Sequence, residues 1–187
     1  MIKTILVVLL TLLNNQLLLA ETKHRPLDAH EHGSIKLSIV LEKNVVEMEL
    51  EGPSESFLGF EHAPKSKKEI QKFNDVKQRW TNDFMSLFIF DIKLNCKLAT
   101  AKLEQIIEEE HNDEHKEEHK DNHKKDSGVH SEISAQAKLN CDQNPASSVA
   151  VVNFKKYFKG IKKLTVEIIG KDSKSVSITK DSQSITL

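Results

Sequence analysis

Apolar and polar residues alternate with period two over long parts of this chain. In GSIKLSIVLE, Ile35, Leu37, Ile39 and Leu41 fall on one side, while Ser34, Lys36 and Ser38 fall on the other. VVEMELE then sets Val46, Met48 and Leu50 against Glu47, Glu49 and Glu51. Successive side chains of a strand point to opposite faces, so the two stretches predict an antiparallel hairpin with a polar outer face, turning at Glu42-Lys43-Asn44. LTVEIIGKDSKSVSIT repeats the design, with Leu164, Val166 and Ile168 answered by Val176 and Ile178 across 170–173. Two such hairpins hint at two similar sub-domains.

Between the hairpins the period changes. Ile70, Phe73, Val76, Trp80 and Phe84 recur at three and four residues, which predicts a helix with one apolar face. Ser66, with Glu69 three residues on, reads as its capping box, and Pro64 lies just outside. The aromatic stripe is assigned to packing.

From Leu87 to Ile107 the chain looks strand-like, with Ile92, Leu94 and Cys96 alternating before Ala99, Ala101 and Leu103. HSEISAQAKLNC alternates again, setting Ile133, Ala135, Ala137, Leu139 and Cys141 inward and His130, Glu132, Ser134, Gln136 and Lys138 outward. The two cysteine-ended strands are expected to be partners. The stretch from about Glu108 to Val129 is then the connection of a long hairpin, far beyond the usual two to five residues, and expected to be mobile, functional or both. The expected fold class is α+β: antiparallel hairpins packed with one main helix, carrying a long mobile His/Asp/Glu-rich loop. Its parts are an amino-terminal ββα part over 21–84 and a carboxyl-terminal β-rich part over 85–187 that holds the disordered insert 108–129.

The first twenty residues stand apart. A basic start is followed by TILVVLLTLLNNQLLLA, whose apolar run is interrupted by Asn14, Asn15 and Gln16, which suits a secretory signal peptide over 1–20 better than a bilayer span. The alternative is an uncleaved anchor. In an exported chain the two cysteines, Cys96 and Cys141, most simply form one disulfide that encloses the histidine run and ties the insert at its base, against the alternative of buried free thiols or soft metal ligands. Lys+Arg 27 against Asp+Glu 28 excludes a general basic field for nucleic acid or anionic lipid. The mature form is not expected to be membrane-embedded.

Chemistry enters with histidine. HNDEHKEEHKDNH places His111, His115, His119 and His123 at every fourth position among Glu, Asp and Lys. Imidazole suits zinc, copper and nickel, and the carboxylates add oxygen ligands, so the composition points to several exchangeable metal positions rather than one closed site. The bland reading is a solvated charge run. His30 and His32 form an H-x-H pair that an extended backbone sets on one side, with His24 nearby; the pair is either a metal site or a plain solvated arm. His130, beside the insert, offers a rigid ligand, whereas His62 is as readily a loop-fixing residue.

The residues 29–64, with His30, His32, Gly33, Pro53 and the run Gly59-Phe60-Glu61-His62-Ala63-Pro64, resemble the opening of the ZrgA-like family of periplasmic zinc-binding proteins. NCKLATAKLE and HSEISAQAKLNCDQNP are similar to that family's paired cysteine segments around a His/Asp/Glu-rich insert. The resemblance implies zinc capture in the Gram-negative periplasm in support of zinc uptake, alongside a periplasmic or membrane zinc-transport component. It marks His30, His32, His62 and His130 as candidate ordered positions and the insert histidines as the flexible set. Zn2+, or another late first-row divalent metal, is the expected cargo. Two other classes compete. A structural or adhesive exported module would leave the histidines unused, and a zinc hydrolase would want a general base in a recognisable frame, whereas the chain has no H-E-x-x-H, nucleophile motif or Gly-rich phosphate loop. An enzyme is therefore not expected.

Overall fold

The computed structural model describes residues 32–107 and 130–187. The expected signal peptide, His24, His30 and the insert with its four histidines lie outside the described residues. Strands β1 (Ser34–Glu42) and β2 (Val45–Pro53) form the first hairpin, with Leu37 paired to Leu50 and Ile39 to Met48. Its turn is tighter than the expected three residues: Glu42 pairs with Val45, and Lys43 takes a positive φ of 53°.

After β2 come a short helix α1 (Ser54–Leu58) and the main helix α2 (Lys67–Thr81). The capping box expected at Ser66 and Glu69 is present in both directions. Val76 and Trp80 are buried in the core, but Ile70 at the expected apolar face is 46% exposed. Trp80 also donates its indole N–H to the Gln136 carbonyl at 2.9 Å, so the largest core side chain carries its own polar link to the sheet.

The stretch 87–107 is not one strand. A helical turn α3 (Phe84–Leu87) leads into β3 (Phe88–Phe90), and a 3-10 turn over Ile92–Leu94 separates it from β4 (Lys97–Ile107). Asp91 caps that turn by accepting from the Lys93 N–H, and Asn95 ends it with φ 45°, which leaves Ile92 92% exposed instead of inward. A bulge between Leu98 and Thr100 then pushes Ala99 outward and puts Leu98 and Ala101 in phase. β5 (Ser131–Asn140) buries Ile133, Ala135, Ala137 and Leu139 as expected. Glu132, expected to face outward into water, is buried where it lies between Ile106 of β4 and Pro53 of β2.

The remaining elements are β6 (Val149–Val152), α4 (Phe154–Tyr157), β7 (Lys163–Ile169), β8 (Lys174–Ile178) and β9 (Gln183–Thr186). The β7–β8 hairpin has the expected register, Val166 opposite Val176. One sheet runs β4-β5-β2-β1-β7-β8 and a second runs β3-β6-β9. Both expected parts of the chain thus supply strands to the larger sheet, and the inward side chains of both sheets and of α2 join in one apolar cluster. The fold is α+β. Among the described residues, no helix is long and apolar enough to cross a membrane.

Cys96 and Cys141 are joined in a disulfide. Its place differs from the expected one. Lys97 pairs with Asn140 beside the bridge, whereas Ile107 pairs with Ser131 at the insert end, so the bridge closes the hairpin at the opposite end of β4 from the insert. At ~3.3 Å per residue that is roughly 30–35 Å away.

Candidate metal centre

Strand order brings distant residues together at one end of the large sheet. β2 runs antiparallel to both β1 and β5, and β4 antiparallel to β5, so the start of β1, the exit of β2, the end of β4 and the start of β5 share that end. His32 precedes β1, Glu55 lies in α1, Glu61 follows it, and His130 precedes β5.

Two glycines fix the backbone around these side chains. Gly33 has φ 85°, and its carbonyl accepts from the Lys162 and Lys163 N–H groups at 2.8 and 3.0 Å, which pins the residue after His32 to the entry of β7. A Cβ there would meet the Lys162 side chain at 2.8 Å, and the left-handed backbone would strain any other residue. Gly59 ends α1 in the left-handed conformation at φ 76°, with its N–H donating to the Glu55 carbonyl at 2.8 Å. That turn reverses the chain so that Glu61 faces back toward Glu55.

The resulting geometry centres on one carboxylate. His32 Nδ1 lies 2.5 Å from Glu55 Oε2 and 3.7 Å from Glu61 Oε1. Ligand atoms of these three residues all lie within 4.8 Å of one another. Tetrahedral zinc ligands stand about 3.4 Å apart, so holding an ion would draw the wider pairs in and part His32 Nδ1 from Glu55 Oε2 by roughly 1 Å. On its other oxygen, Oε2, Glu61 accepts from His130 Nδ1 at 3.0 Å. A carboxylate accepting at Nδ1–H leaves the Nε2 lone pair of His130 available, the arrangement that orients metal-bound imidazoles. The side chains of His32 and Glu55 are 60% and 48% exposed and that of Glu61 only 20%, so the shared carboxylate is the anchored member and the outer two are open to solvent.

His62 is turned away from this group. Its Nδ1–H donates to the Ala63 carbonyl at 2.9 Å, its ring stacks on Phe60 with centroids 5.0 Å apart, and its Nε2 is 3.8 Å from Glu69 Oε1. These contacts fit the loop-fixing role expected as the alternative for His62. Of the ordered histidines expected from sequence, the structure therefore brings His32 and His130 to one carboxylate and sets His62 aside. Sequence reasoning missed Glu55 and Glu61 as site residues. Glu61 stood in the quoted G-F-E-H-A-P run, but nothing in its spacing from His32 or His130 tells that one sheet end gathers them.

One imidazole and two carboxylates gathered at a solvent-open sheet end are residue types that could hold a divalent cation such as zinc. A family model for the ZrgA family zinc uptake protein matches residues 29–187, and the chain belongs to that family. No curated protein gave a match to the chain.

Proposed function

We propose that the protein captures zinc in the periplasm and supports its uptake, holding the ion at His32, Glu55 and Glu61 with His130 beside them. Export follows from the leader-like first twenty residues and agrees with the disulfide, which persists in oxidising compartments. The observation that carries the reading is the convergence of His32 and His130 on the two oxygens of Glu61, with Glu55 against His32, in a member of a zinc uptake family. Neutral imidazole with two carboxylates offsets the ion's double charge, and the exposure of the outer ligands favours exchange over permanent storage.

In this reading His111, His115, His119 and His123 form an exchangeable set that raises the local zinc concentration, and His30 and His24 extend the amino-terminal side. The metal is cargo, and the role is binding and delivery to a zinc-transport component, not catalysis. Titration of the mature chain with zinc in a calorimeter tests the ordered centre: Glu61→Ala and Glu55→Ala should each remove one tight binding event while leaving the weaker insert events. If both variants bind as many ions with unchanged affinity, the centre is not at this sheet end.

A further inference from the structure

The loop that carries Glu61 has no strand partner, so its position must come from side chains. On its amino-terminal side it is held by the Gly59 turn. On its carboxyl-terminal side the amide of Gln105 in β4 links it to the large sheet, donating to the His62 carbonyl at 3.2 Å and to the Ser131 hydroxyl at 2.9 Å. A primary amide has two N–H donors. Here one goes to the residue after Glu61 and the other to the residue after His130, the same two residues that are joined through Glu61 Oε2 and His130 Nδ1. The Glu61-His62 and His130-Ser131 pairs are therefore cross-linked twice, once through the carboxylate and once through Gln105. Ser131 is buried, so its hydroxyl cannot trade this partner for bulk water.

We propose that Gln105 is a positioning residue of the metal centre, holding the Glu61 loop to the root of the β4–β5 connection so that Glu61 presents one oxygen to the ion and the other to His130. The inference rests on the reading of His32, Glu55 and Glu61 as the ligands. Met matches the length of Gln but cannot donate, and Glu matches its shape but presents only acceptors to the His62 carbonyl. Either replacement frees the loop while leaving the apolar core untouched.

The test uses the full mature chain in which His111, His115, His119 and His123 are Asn, so that only the ordered centre is read. Zinc affinity is measured by competition with a chromogenic chelator, and the metal-free thermal midpoint is measured in parallel. Loss of an orienting partner lowers metal affinity at least about 10-fold, so Gln105→Met and Gln105→Glu should each bind zinc about 10-fold more weakly, at a metal-free midpoint close to the parent's. Ser131→Ala, which removes one end of the link, should give a smaller loss in the same direction and stands in should either Gln105 variant fail to fold. Glu61→Gln in the same background separates the two claims. If it weakens zinc while the Gln105 and Ser131 variants do not, the positioning role is overturned and the ligand set stands. If Glu61→Gln itself leaves affinity unchanged, the ligand set falls and the positioning role falls with it. A lowered thermal midpoint with unchanged affinity would make Gln105 a purely structural residue.

Discussion

Glu69 shows how one carboxylate shapes the approach to the centre without touching it. Its Oε2 accepts from the backbone N–H groups of Ser66 and Lys65 at 2.8 and 2.9 Å, while Ser66 Oγ accepts from the Glu69 N–H at 3.2 Å. These backbone donors, that of Ser66 first and that of Lys65 next, hold the Glu69 carboxyl below the ordinary glutamate value of about 4.5. A depressed value means that the ionised form is favoured by folding. Its contribution is therefore complete above about pH 4.5 and is lost as pH falls through the lower folded-state value. Glu69→Gln should melt at a lower temperature than the parent at pH 7, with the gap closing as the pH is brought from 5 to 3. Thermal melts of the metal-free proteins across that range check it, and a gap of constant size would show that the charge plays no part. Ser66 and Glu69 were readable in advance because capping is local, set by a spacing of three. Glu61 was not, because its partners are 29 and 69 positions away in sequence, at His32 and His130.

Among the elements, the β4–β5 hairpin carries the disulfide at one end and the candidate metal centre at the other. In the chain-entropy model, closing a loop of about 46 residues stabilises the fold by about 4 kcal/mol. Replacing both Cys96 and Cys141 by Ser should lower unfolding free energy by up to roughly that amount. Zinc affinity at the centre should hardly change, since the bridge sits the length of β4 away. Urea unfolding and zinc titration of the same variant check both halves, and a loss of zinc at full stability would contradict the separation. The alternation of β1, β2, β5 and β7 announced these strands because each has one buried face and one polar face. Between Leu87 and Ala101 the same pattern misled. Asp91 and Asn95 favour turns through their side chains and so interrupt the run at Ile92, and the bulge at Ala99 shifts the phase by one residue without altering the composition. The buried Glu132 is a second case, since alternation assigns a face but not what covers that face at the sheet end.

For the molecule as a whole, the order β4-β5-β2-β1-β7-β8 decides everything about the site, because it turns four separate strand ends into one rim from which the β4–β5 connection departs between Ile107 and His130. Residues 108–129 contribute no position to the alternation of the flanking strands, so the core should not need them. Replacing 108–129 by Asn-Gly leaves a short hairpin loop of a kind that antiparallel strands accept, and shortening the connection by roughly three halvings should stabilise the fold by about 2 kcal/mol. The same change removes His111, His115, His119 and His123, so the total zinc count should fall while the ordered centre keeps its ion. Because a tight turn also constrains His130, the variant with those four histidines replaced by Asn is measured beside it. Agreement of the two in zinc count assigns the lost ions to the histidines of the insert. Calorimetric titration and thermal unfolding of both forms give the answer. An unfolded deletion variant would show that the insert belongs to the core. An unchanged zinc count in the Asn variant would move the exchangeable ions from imidazole to the neighbouring carboxylates.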